Sequence, residues 1–306
     1  MESTLSPSTA VRSAGRPVAG RVALYGIVIL LAALFLLPFY IVLRNAFATH
    51  AEITASSWVW FPPKPTLDNL TGMFAGERPI LAISMVNTLI VAIAQTALQL
   101  LFASMAGYAL ARIPIRCGKA VLWYILLPMM IPGAVTFVPS FVLVAYFGWV
   151  NSFLGLVIPG AFSVFATLVF RQFYLDFPRD LEEAARVDGL GTWGIFWHIV
   201  VPNSQGVFVS MGILVFVGSW NSFLWPLVIA QDQSMYTVQM YVSSFLTSQN
   251  PDLPKLFMAA LLSVLPIAVL SWHCSATSLA ASRAAGSRGK GEVLEGQRVV
   301  RAFHPA

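Results

Sequence analysis

Six apolar runs alternate with polar segments along the chain, at residues 22–43, 83–111, 120–147, 153–170, 206–230 and 256–281. None of them contains an Asp, Glu, Lys or Arg. A bilayer-spanning helix takes roughly 20 mostly apolar residues, and each run is about that long or longer. Lipid offers the backbone no hydrogen-bond partners, so such runs predict helices. A membrane barrel would show weak alternation over segments of about ten residues instead. The pattern therefore predicts an all-α, polytopic membrane helical bundle of about six transmembrane helices. About 21 polar residues precede the first run. That run is longer than a signal-peptide apolar region and lacks a small-residue cleavage pattern, so it reads as the first span.

Basic residues between the runs set the expected orientation. With the N-terminus inside, the inner segments hold Arg12, Arg16, Arg21, Arg112, Arg116, Lys119, Arg171, Arg179, Arg186, Arg283, Arg288, Lys290, Arg298 and Arg301. The outer segments hold Arg44, Lys64, Arg78 and Lys255. Fourteen against four places both termini in the cytoplasm of a multi-pass protein of the plasma (inner) membrane. The domain plan is a cytoplasmic N-terminal tail at 1–21, a transmembrane domain at 22–281 and a cytoplasmic C-terminal tail at 282–306. After Leu270 the sixth run turns polar through Ser271, His273, Cys274 and Ser275, so a short or tilted span is expected there.

Composition agrees. Hydrophobic residues make up 58% of the chain and charged residues 10%, against about 25% charged in a soluble domain. Mean hydropathy is +0.76. The net charge of +5 reads as inner-loop Lys and Arg rather than as a nucleic-acid surface. Cys117 and Cys274 have no metal or redox spacing, and His50, His198, His273 and His304 form no ligand cluster.

Two connections are long. The outer one, from Arg44 to about Ala82, carries Trp58, Trp60, Phe61, Pro62, Pro63 and Pro65. The inner one, from Arg171 to Gln205, is the most charged internal segment. Pro178 suits a helix start, Asp180 and Glu182 its first turns, and Gly189 its stop. Thr192 suits the cap of a second short helix, Trp193 to about Val200, with Pro202 leading into the fifth span. This predicts two helices at the inner membrane face. The helix pattern alone fits an ordinary amphipathic surface helix equally well.

The spacing within that loop is more specific. Glu183-Ala184-Ala185, Gly189, Ile199 and Pro202 resemble the EAA loop of ABC importer permeases, with Val201 where that family usually has Leu. Other segments resemble the carbohydrate (maltose-type) branch: Pro65-Thr66-Leu67-Asp68-Asn69, Asn87-Thr88-Leu89, Tyr108-Ala109-Leu110-Ala111-Arg112, and Trp220-Asn221-Ser222-Phe223-Leu224-Trp225-Pro226-Leu227. Many of those proteins have an acidic or amide residue where Ser222 stands.

The resemblance implies a type I ABC importer permease fold. It implies that the loop at 178–202 docks in a groove of a cytoplasmic ATPase through Glu182, Glu183, Ala184, Ala185, Asp188, Gly189, Ile199 and Pro202. It also implies an ATPase dimer, a second permease subunit and an extracytoplasmic solute-binding protein. The solute would be a sugar or oligosaccharide, with glycerol 3-phosphate or a related phosphodiester as the alternative. ATP and Mg would bind the partner ATPase and no cofactor this chain. Gly118-Lys119 lacks the rest of a P-loop, so ATP hydrolysis is expected elsewhere.

Sugars need hydrogen bonds and flat apolar faces, which Trp220, Asn221, Phe223 and Trp225 supply. Trp near a membrane boundary also serves as an anchor, and an intramembrane amide also joins helices. Pro128, Pro132 and Pro139 suit either a kinked pathway helix or tolerated irregularity. Ala103, Gly107 and Ala111 form a small-residue stripe that predicts close helix packing. A secondary transporter generally carries ionisable residues within its spans, and these runs hold no Asp, Glu, Lys or Arg. An enzyme would need clustered catalytic groups, and Glu182 and Glu183 point in different directions on a helix.

The orientation is testable through Cys117. With Cys274 replaced by Ser, a membrane-impermeant maleimide should label Cys117 in inverted vesicles and not in intact spheroplasts. Labelling from the outside would reverse the assignment.

Overall fold

The computed structural model describes residues 18–74, 79–247 and 251–270, and among these every regular element is helical. The predicted tails fall wholly or mostly outside the described residues, as do Arg78, His273, Cys274 and the sixth run beyond Leu270. Three helices are long and apolar enough to cross a membrane: α1 (Val18–Ala46), α4 (Ile80–Arg112) and α15 (Leu253–Leu270). Between α1 and α4 lie two short helices, α2 (His50–Thr54) and α3 (Asp68–Phe74). Thr49 and Glu52 form a reciprocal capping box on α2. Glu52 also accepts from the Lys64 backbone N–H, which ties the outer connection together.

The other predicted spans are broken. The third run becomes α5 (Gly118–Leu126), a 3₁₀ turn (Leu127–Met130) and α6 (Gly133–Tyr146), with a 97° bend at Ile131 and Pro132. Proline lacks the amide that would continue the ladder, and of the three prolines in this run the break falls at Pro132 while Pro139 lies within α6. The fourth becomes α7 (Phe153–Val157), a 3₁₀ turn (Ile158–Gly160) and α8 (Val164–Leu175), bent by 45°. Ser163 caps α8 by accepting from Ala166 N.

The inner connection forms α9 (Arg179–Val187) and α10 (Thr192–Ile195), the latter running through a π turn (Phe196–Val200) into α11 (Val201–Asn203). The cap of α10 is Gly191 rather than Thr192, and the second helix runs three residues past Val200. A 77° bend at Ser204 leads into α12 (Gln205–Trp220). The single fifth span expected at 206–230 is not observed. The helix stops at Trp220 and resumes as α13 (Leu224–Ile229), before α14 (Val238–Thr247). Hydropathy is blind to that break, because Asn221 and Ser222 are two uncharged polar residues in an otherwise strongly apolar window.

Broken helices free carbonyls that lipid cannot satisfy. Pro159 has no N–H to give the Gly155 carbonyl, and the Trp225 indole N–H donates to it at 2.9 Å. Gln95 and Gln99, near the middle of α4, donate to the Leu156 and Gly160 carbonyls at 2.9 and 2.6 Å. Ser219 of α12 donates to the Gln95 side-chain oxygen at 2.7 Å. The centre of α4 is thus the post to which the irregular segments are bonded.

The main core lies toward the Arg112 end of α4, around Ala103, Tyr108, Phe170, Tyr174, Phe196 and Val200. The small-residue stripe is its seam. A Cβ on Gly107 would come within 2.8 Å of both the Arg171 backbone nitrogen and Phe170 Cβ. By contrast, the apolar window of α1 is unburied within the chain.

Gly107→Val should therefore wedge α4 from α8. The expected cost is about 1–3 kcal/mol, from overpacking a filled interface. Gly218→Ala meets nothing within 4 Å and should be neutral. Thermal melting of the detergent-purified chain separates the two.

Candidate functional site

The charged inner segment folds as its residues dictate. Pro178 sits at the N-cap of α9, Asp180 and Glu182 lie in the first turn, and Arg186 lies in the last, all favourable to the helix dipole. Gly189 ends the helix at φ +88°, a conformation costly for any residue with a Cβ. The turn it makes sends the chain back into α10.

Successive residues on a helix point about 100° apart, so one side of α9 faces the bundle and the other faces away. Only Glu182 and Ala185 of α9 are buried. Glu183, Ala184 and Asp188 are exposed and, with exposed Gly189, form its outward edge. In the second helix Ile199 is half-buried and Pro202 exposed. Of the eight loop residues singled out in the sequence, four share the outward edge. Ala185 packs inward, and so does Glu182.

The inward course of Glu182 corrects an expectation, since the resemblance counted it among the residues that dock on the ATPase. Its partner is in this chain. Glu182 Oε1 lies 3.1 Å from Arg112 Nε, both side chains being 6% exposed. Tyr108, one turn earlier on α4, donates to the other carboxylate oxygen at 3.3 Å. The Arg112 guanidinium also donates to the Phe177 carbonyl, in the turn between α8 and α9. The Tyr108 ring lies against Phe196 at 5.2 Å and Tyr174 at 5.7 Å. Sequence reasoning used Arg112 for orientation and missed its pairing. The available signal was the spacing of Tyr108 and Arg112, four residues apart on one helix face.

Two hollows flank this joint. One is a polar crevice of about 130 Å³ between Arg112, Arg179, Glu182, Glu183 and Arg186. The other is an apolar hollow of about 520 Å³ between the last turns of α4 and the Trp193–Phe196 turn.

The second group of candidates is dispersed. Trp220 is 2% exposed, stacks on Phe216 and donates its indole N–H to the Ser263 carbonyl at 3.1 Å. That is a packing position. Asn221 is exposed, bonding the Val217 carbonyl and the Gln239 amide. Phe223 and Trp225 are half-buried. Trp225 lines an open groove of about 320 Å³ with Gln95, Thr136, Ser140 and Ser222, near the middle of α4. Its ring meets Phe137 edge-on at 5.7 Å. Gln95, Thr136 and Ser140 escaped sequence reasoning because they are lone polar residues in apolar runs. Only the bend at Pro132 and the α7–α8 break bring them together.

A family profile described as binding-protein-dependent transport system inner membrane component matches residues 99–273. The arabinooligosaccharides transport system permease protein AraQ of Bacillus subtilis (strain 168) is 31% identical over 252 residues, covering 82% of this chain and 89% of that protein. The lactose transport system permease protein LacG of Rhizobium radiobacter is 31% identical over 242 residues, covering 79% and 87%. The sn-glycerol-3-phosphate transport system permease protein UgpE of Yersinia enterocolitica is 30% identical over 247 residues, covering 78% and 87%. Among solved structures, a chain of a bacterial ABC transporter involved in the import of the acidic polysaccharide alginate superposes with a TM-score of 0.72. It covers 84% of this chain and 96% of that one at 18% identity, which establishes a shared fold.

The two tryptophans should separate cleanly. Trp220→Ala leaves a void in a packed site, at a cost of about 3–5 kcal/mol. Trp225→Phe keeps the ring but leaves the Gly155 carbonyl bare, at about 1–3 kcal/mol. Thermal unfolding of the purified chain should rank them in that order.

Proposed function

The chain belongs to the family of binding-protein-dependent transport system inner membrane components, and on that premise we propose that it is the permease through which an ATP-driven importer passes a sugar or oligosaccharide. Membership makes it a multi-pass membrane component and sets aside an ATP-independent carrier. The observation that carries the mechanism is the outward edge of α9. Glu183, Ala184, Asp188 and Gly189 stand exposed on a short helix beside the end of α4, where a partner can dock.

In this reading the ATPase sits in the cytoplasm and binds ATP and Mg, and both termini of this chain lie on that side. A solute-binding protein delivers cargo to the opposite face, and a second permease completes the pathway. Small Ala184 lets the partner approach closely, and Glu183 and Asp188 offer carboxylates to its basic groups. ATP binding draws the ATPases together, α9 moves with its ATPase, and the helices tilt to open outward. Hydrolysis resets them. Nucleotide shifts the equilibrium because it binds the two states unequally.

The groove around Gln95, Thr136, Ser140, Ser222 and Trp225 is the candidate passage. Its lining offers hydroxyl, amide and aromatic groups and no charged side chain. That chemistry suits a neutral polyhydroxylated solute. A phosphodiester would favour a cation, so glycerol 3-phosphate is the less favoured cargo.

Purification from the native membrane in mild detergent, followed by mass spectrometry, should recover an ATPase and a second permease. A homo-oligomer with no ATPase would sink the proposal. In the assembled complex, Gly189→Asp should abolish binding-protein-stimulated ATP hydrolysis while membrane insertion persists. It strains a left-handed turn and adds charge beside Asp188. Full stimulation in that variant would remove the loop from the mechanism.

A further inference from the structure

Docking on α9 moves nothing in the membrane unless α9 is fixed to a span. The chain on either side of α9 is a poor lever. It enters by the turn at Phe177 and Pro178 and leaves by the left-handed turn at Gly189, so neither end runs on as helix into a span. Packing adds little, because Ala185 is the other buried residue of α9 and carries a single methyl group. Glu182 is thus the one long side chain of α9 that is buried in the bundle.

We propose that the Glu182–Arg112 ion pair, backed by Tyr108, is the joint that locks α9 to α4 and turns a displacement of α9 into a tilt of α4. This deepens the proposed function and rests on it. Four features carry the inference. Both carboxylate oxygens are engaged from α4, one by Arg112 at 3.1 Å and the other by Tyr108 at 3.3 Å. Two attachment points fix orientation as well as distance, as one alone could not. Arg112 also holds the Phe177 carbonyl, so one guanidinium spans α4, the α8–α9 turn and α9.

The pair is also buried. Apolar residues of similar size can stabilise a buried site as well as an ion pair does, so stability alone does not call for charge. Arg112 Nε and Glu182 Oε1 pair as charges without a hydrogen bond between them, and the directional bond that adds fixed geometry is the one from Tyr108 to the carboxylate. Finally, α4 is the right output. It has 33 residues, a length of about 50 Å, and near its middle it holds Gln95 of the groove. Glu182 and Arg112 are positioning residues in this scheme, and neither lies on the exposed docking edge.

The test uses the assembled complex with a Thr136→Cys reporter in the groove and a small maleimide as probe. In the parent complex Mg-ATP should change the labelling rate of that cysteine. Glu182→Gln should keep the ATPase bound and hydrolysing, yet shrink the Mg-ATP effect by about tenfold, within the usual range for coupling between sites. Arg112→Gln should do the same, and the double variant should be no worse than either single one, because both break one joint. Where Glu182→Gln lowers the yield, Arg112→Lys carries the test, keeping charge but losing the fork that reaches Phe177. An undiminished Mg-ATP effect in ATPase-bound Glu182→Gln overturns the proposal, and so do losses that multiply in the double variant. Loss of the ATPase from Glu182→Gln would place Glu182 on the docking face and overturn it too. A parent complex that never holds an ATPase would instead overturn the proposed function itself.

Discussion

A bilayer gives no hydrogen bonds, so every break in a membrane helix must be repaired by the protein itself. Among the described residues three pairs of apolar helices are bent, by 97°, 45° and 77°, and the run at 206–230 is interrupted after Trp220. The repairs are specific. Gln95, Gln99 and Trp225 donate to carbonyls of the α7 segment, and Ser219 donates to Gln95. Each repair ties an irregular stretch to a regular helix, and most of them meet on α4. The broken backbone lies beside the groove, where polar lining is needed and where irregular chain is tolerated.

The two ends of α4 have different characters for the same reason. Asn87 bonds the Ser234 and Tyr236 carbonyls, and Thr88 accepts from Val238 N, so the Ile80 end is stitched to the loop before α14. The Arg112 end is held by charge, through Glu182, and by the aromatic contacts of Tyr108. Between them Gly107 lets α8 approach so closely that a methyl group would not fit. A single long helix thus gathers the loop before α14, the groove and α9 into one mechanical unit.

Functional candidates divide by which way they point. Four residues of the family-like loop face outward, where a partner can reach them, while Glu182 faces in and belongs to the chain's own framework. Likewise Trp220 and Trp225 share a sequence motif but not a role. One fills a core position against Ser263, and the other lines the groove while its N–H mends the break at Gly155.

The sequence by itself determined the class of protein, since about 20 apolar residues in a run leave the backbone little choice but helix. It also located the short helices that begin at Arg179 and Thr192, because Pro178, the first-turn carboxylates and Gly189 act on their own neighbours. The prolines of the third run left a kink and a tolerated irregularity equally open, and the structure puts the bend at Pro132. Only the tertiary structure decided which carboxylate turns inward, that the run at 206–230 is interrupted at Asn221, and which polar residues meet at the groove. Those outcomes rest on pairings across the chain: Tyr108 with Glu182 at a separation of 74 residues, Trp225 with Gly155 at 70, and Ser219 with Gln95 at 124. Hydropathy and capping rules read only near neighbours, so a partner that far along the chain leaves no local trace.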